Sequence, residues 1–81
     1  MKRTPKGEDA RRREAQLIGG QLDDLGFPEE TLVDVRAALE EFAARGYGVT
    51  KTFRFRELGV AVTLLLSTQP HVTSYARVSR Q

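Results

Sequence analysis

The chain has no cysteine and no tryptophan, and it holds one histidine and one methionine. Without cysteine there is neither a disulfide framework nor a thiolate metal site, and a cytoplasmic setting is the expectation. Long apolar runs are missing too. No uninterrupted apolar run exceeds Leu64-Leu65-Leu66, or Val60 to Leu66 if Thr63 is passed over, far short of the roughly 20 residues that span a bilayer. The start of the chain is basic but adjoins no apolar block, so a secretory signal is not expected either.

Catalytic constellations are equally sparse. His71 has the hydroxyls of Ser67, Thr73 and Ser74 nearby in sequence but no acidic residue within that strand pair, so a Ser-His-acid set is not expected. The acidic residues fall as adjacent pairs, Asp23-Asp24, Glu29-Glu30 and Glu40-Glu41, which diverge around a helix instead of converging on a metal. Gly19-Gly20 lacks the Lys-Ser/Thr of a phosphate loop, and Gly46-Tyr47-Gly48 reads as a connector. These absences point to a protein that is not an enzyme and that carries no cofactor and no metal.

What is present suits one small soluble domain. The 81 residues are 40% hydrophobic and 30% charged, close to the size at which one core only just outweighs chain entropy. Residues 1–8 read as a flexible basic tail and residues 9–81 as a single α+β domain. The net charge of +2 conceals a segregation: six basic and three acidic side chains in residues 1–20, two and seven in 21–46, five and one in 47–81. An acidic middle is flanked by two basic ends.

Two helices are predicted. Over residues 9–24, Ala15, Ile18, Leu22 and Leu25 recur at spacings of three and four behind Asp9 as N-cap, with Gly19-Gly20 as a point of kinking or ending. Over 28–45, Pro28 suits the first helical position, Glu29 and Glu30 complement the N-terminal dipole, and Gly46 is placed to close the helix. Leu32, Val35, Leu39 and Phe42, with Ala38 beside them, form its apolar stripe.

After Gly48 the period changes from 3.6 to 2. Strands are predicted at 49–56, 60–67 and 71–79, giving an α-α-β-β-β order: a two-layer domain with the helices on a three-stranded antiparallel meander. Keeping apolar faces together pairs Phe55 with Val62 and Phe53 with Leu64 across a two- or four-residue loop, the latter favoured by Gly59. A five-residue loop 67–71 then pairs Leu66 with Val72 and Val62 with Ala76. The expected core is Leu32, Val35, Leu39, Phe42, Phe53, Phe55, Val62, Leu64 and Val78.

The outward rows become Thr52/Leu65/Thr73, Arg54/Thr63/Tyr75 and Arg56/Ala61/Arg77. Arginines beside hydroxyls can hold phosphate in bidentate fashion, and Tyr75 offers a stacking surface. Binding to a nucleic-acid backbone through Arg54, Arg56, Tyr75 and Arg77, with Thr63 and Leu65 on the same face and Arg11, Arg12 and Arg13 assisting, is the leading expectation. The rival is a protein-binding inhibitor or accessory factor, a small phage- or plasmid-type regulator docking on a larger machine that handles nucleic acid. Leu65 and Ala61 amid the arginines suit that reading, and Asp34, Glu40 and Glu41 would give a second partner surface. A homodimer through the outer sheet face is a further arrangement consistent with a central strand that is apolar on both sides.

Overall fold

A computed structural model describes residues 4–80 of the chain. Helix α1 spans Glu8–Asp24, helix α2 Val33–Arg45, and three strands follow: β1 Val49–Phe55, β2 Val60–Leu66 and β3 Tyr75–Arg80. The strands form one antiparallel sheet in the order β1-β2-β3. This is the expected α-α-β-β-β arrangement, with α2 against β1 and β2, and α1 against α2 and β3.

Helix α1 runs unbroken through Gly19-Gly20. Two interior glycines cost about 1 kcal/mol each in an isolated helix, but Ile18 and Leu22 on either side of the pair are almost wholly buried. Tertiary burial of that stripe overrides the local preference. The N-cap is Gly7, with Glu8 and Asp9 inside the first turn, so Asp9 complements the dipole instead of capping.

The second predicted helix starts later than its sequence signals indicate. Pro28 precedes a single 3₁₀ turn, Glu29–Thr31, and the α-helix begins only at Val33. Leu32 between them is buried, and its carbonyl accepts the Arg36 N–H at 2.9 Å. The C-terminus behaves as expected: Gly46 is left-handed at φ 76° and its N–H returns to the Phe42 carbonyl.

Both hairpins differ in register from the expectation by two residues. Residues 56–58 form a 3₁₀ turn closed by Gly59 at φ 66°, so the four-residue loop is 56–59 and Phe55 pairs with Val60, Phe53 with Val62. A shift of two preserves the faces, so each side chain keeps its expected side of the sheet while its partner changes. Between β2 and β3 the connection is 67–74, not 67–71. It is closed by the Ser67 N–H donating to Ser74 Oγ at 3.1 Å, and Val62 faces Val78 instead of Ala76.

The same loop is anchored from the N-terminus. Lys6 Nζ donates to the Ser67 and Val72 carbonyls at 2.9 and 2.6 Å and pairs with Glu14 at 2.7 Å, while its own N–H bonds the Thr68 carbonyl at 2.9 Å. Lys6, expected in a flexible tail, is thus fastened to the domain, and Glu8 is already helical. Residues 1–3 of that tail lie outside the described residues.

The core is Ile18, Leu22, Leu32, Val35, Leu39, Phe42, Val62, Leu64 and Leu66, with Phe27, Phe53 and Phe55 packed at its margin. Phe53 and Phe55 are only partly buried because β1 is an edge strand, and Val78 on the other edge is 39% exposed. Helix α1 supplies core residues that the expected list omits.

Candidate nucleic-acid interface

With both helices on one side of the sheet, the other side is bare. The observed pairing writes its rows as Thr50/Leu65/Tyr75, Thr52/Thr63/Arg77 and Arg54/Ala61/Ser79. Arg54 and Tyr75, expected in one row on either side of Thr63, sit at opposite ends of the face, and Arg77 moves to the middle row. The face therefore has a polarity: an apolar and aromatic end, a hydroxyl row in which Thr52 and Thr63 lie 3.2 Å apart, and a basic end.

At the basic end the chain turns draw in two more arginines. Arg56 has left the strand for the 3₁₀ turn, and Arg80 closes β3. Together with Arg54, Thr52 and Ser79 they ring a shallow hollow whose floor is Ala61, itself only 6% exposed. Arg54 and Arg56 also border a second hollow with Phe55, Glu57 and Leu58. At the other end Tyr75 is 40% exposed beside half-buried Leu65.

Several of the described cations are matched internally. Arg11 is turned inward, its guanidinium donating to the Phe42, Ala43 and Ala44 carbonyls and to that of Lys6. It caps the C-terminus of α2, where cationic groups meet the negative end of the dipole. Arg12 pairs with Glu8 and Glu40. Arg36 bridges Asp23 and Glu29, and the bonds it donates to Glu29 and then Asp23 raise its pKa further. Among the described residues, Arg54, Arg56, Arg77 and Arg80 have no acidic partner and no side-chain hydrogen bond; the one cation over a ring is Lys51, 5.0 Å from Phe53.

The basic run Arg11-Arg12-Arg13 accordingly does not act as a block. Only Arg13 remains exposed and without a partner among the described residues. Sequence reading missed Arg80 as a member of this cluster: it pairs with Val60, in the parity of the core-facing rows, and joins the hollow from the very end of β3. Glu40, expected with Asp34 and Glu41 on a second surface, spends its charge on Arg12, while all three remain exposed on α2.

Other features do not converge on chemistry. In the groove between the helices, lined by Arg12, Ala15, Gly19, Arg36, Leu39 and Glu40, Arg12 pairs with Glu40, and Arg36 with Asp23 and Glu29 outside it. His71 is exposed in the 67–74 loop. No group of three or more His, Asp or Glu side chains placed to hold a metal occurs among the described residues, and none of the described helices is long and apolar enough to cross a membrane. Comparison of the chain with known protein families, with curated proteins and with solved structures finds no match.

Proposed function

We propose that this chain is a small non-enzymatic binding protein that contacts a nucleic-acid backbone through its open sheet face, with Arg54, Arg56, Arg77 and Arg80 as the phosphate-binding groups. One observation carries the reading: Lys6, Arg11, Arg12 and Arg36 are consumed by internal carbonyls and carboxylates, and of the described arginines without such a partner four gather on the sheet, Arg54, Arg56 and Arg80 around one hollow, while Arg13 and Arg45 lie on the helices. A guanidinium held beside hydroxyl groups and without a carboxylate is suited to bidentate phosphate contact. The test is a salt titration of binding to a labelled oligonucleotide. Affinity should fall steeply with salt, and replacing Arg54, Arg56 and Arg80 together by alanine should weaken it and flatten the salt slope by about two to three units. No affinity for DNA or RNA at low salt would overturn the reading.

A second reading is supported by Leu65, which lies between Thr50 and Tyr75 with no element of the chain across it. An inhibitor or accessory factor would present such an apolar spot, ringed by arginines, to an acidic protein surface. Its binding would depend on Leu65 as well as on the arginines.

A further inference from the structure

The four arginines account for a polyanion, but not for the other end of the face. A duplex offers a protein lying flat against it only phosphates and sugars, because its bases are stacked inside and are read by an element that enters a groove. The open face projects no such element: both helices lie behind the sheet, and the face consists of three short strands. Against a duplex, Tyr75 and Leu65 would be pressed on a charged backbone with nothing apolar to meet them. An unpaired strand is different, since each of its bases has an exposed π-face that stacks on an aromatic side chain while the backbone runs on through cationic groups.

The order of the rows fits that ligand. Successive outward rows lie about 7 Å apart along the strands, so Tyr75 stands one row from Arg77 and two rows, about 14 Å, from Arg54 and the hollow it shares with Arg80. A base at the first row leaves its neighbouring phosphates to cross the Thr52/Thr63/Arg77 row and reach the arginine cluster. Ring, hydroxyls and guanidiniums thus occur in the sequence in which one extended strand would meet them.

Resting on the backbone-binding reading above, we propose that the ligand of this face is single-stranded nucleic acid, with one base stacked on Tyr75 beside Leu65 and the following phosphates held by Arg77, Arg54 and Arg80. Its polarity on the protein is fixed by the aromatic end and the basic end.

The full chain is titrated at low salt with a fluorescein-labelled oligonucleotide that cannot self-pair and with the blunt duplex of the same sequence. The single strand should bind at least tenfold more tightly than the duplex, and Tyr75→Ala should weaken single-strand binding by about fivefold to a hundredfold, while Tyr75→Phe retains it. Because the chain has no tryptophan, Tyr75→Trp gives an isolated indole emission that the single strand should quench and the duplex should leave unchanged. Tyr75 is exposed, so thermal melts of these variants should match the parent. Equal affinity for duplex and single strand, with Tyr75→Ala indistinguishable from the parent, overturns this inference and leaves backbone binding standing. Absence of binding to either probe overturns both and assigns the face to a protein surface.

Discussion

Gly48 stands where the chain leaves α2 and enters β1, and a β-carbon built there would lie 2.7 Å from the backbone carbonyl oxygen of Leu66. That oxygen belongs to the central strand and cannot move aside without breaking the ladder. Gly48→Ala should therefore lower the melting temperature. Gly20 is the opposite case: nothing lies within 4 Å of its notional β-carbon, and it sits inside a regular helix, so Gly20→Ala should stabilise by about 0.5–1 kcal/mol. Thermal melts of the two variants side by side check both signs, and a stabilised Gly48→Ala would contradict the close approach. At this same scale the sequence was least legible. Arg11 and Arg54 are the same residue type in equally basic surroundings, yet Arg11 caps α2 and Arg54 faces outward. Which carbonyls a guanidinium finds depends on how α1 lies across the end of α2, and no local pattern carries that crossing.

At the scale of elements, periodicity located the two helices and the β-rich half, and parity separated the apolar from the polar strand residues by face. Parity repeats every two residues, so it is blind to a slip of two, and both hairpins differ from expectation by that amount. What sets the true register is loop chemistry: a 3₁₀ turn ended by left-handed Gly59, and a 67–74 connection held by Lys6 and Ser74. Helix α2 is shorter at its start than the Pro28 signal implies, because a 3₁₀ turn places Leu32 into the core before the α-helix begins. The energetic weight of the aromatic residues shifts accordingly. Phe42 is fully buried between the layers, whereas Phe53 lies on an edge strand and is only partly buried. Phe42→Ala should cost about 3–5 kcal/mol, enough to unfold so small a domain, since it leaves a cavity in the centre of the packing. Phe53→Ala should cost clearly less. Urea denaturation of both variants measures the order, and a Phe53→Ala penalty equal to that of Phe42→Ala would show β1 to be more tightly covered than the geometry has it.

Across the whole molecule, no ion pair among the described residues joins the acidic helical layer to the strands; Lys6 ties the chain's beginning to α1 through Glu14 and to the β2–β3 loop through the Ser67 and Val72 carbonyls. The Lys6 side chain is 8% exposed and that of Glu14 22%. Burial pushes the Glu14 carboxyl up, but hydrogen bonds from Lys6 and Ser74 and the charge of Lys6 together outweigh it and hold the carboxyl below its ordinary value. A carboxylate whose pKa is lower in the folded than in the unfolded chain adds stability above the unfolded value, and that stability is lost as pH falls through the folded one. Glu14→Gln removes the titrating group while keeping its size, so near neutral pH the parent chain should melt at a higher temperature than the variant. As pH falls from the ordinary carboxylate range to below the depressed value of Glu14, the two melting curves should converge, because the parent then carries a neutral side chain as well. Lys6→Met breaks the same contact from the other side and should start from a larger gap that narrows at low pH without closing, since it also deprives the Ser67 and Val72 carbonyls of their donor at every pH. Parallel pH profiles for parent and Glu14→Gln would mean that this pair does not fasten the N-terminal segment to α1. Retention of oligonucleotide binding by both variants at neutral pH is expected as well, because the fastening lies on the helical side of the sheet and the sheet arginines do not take part in it.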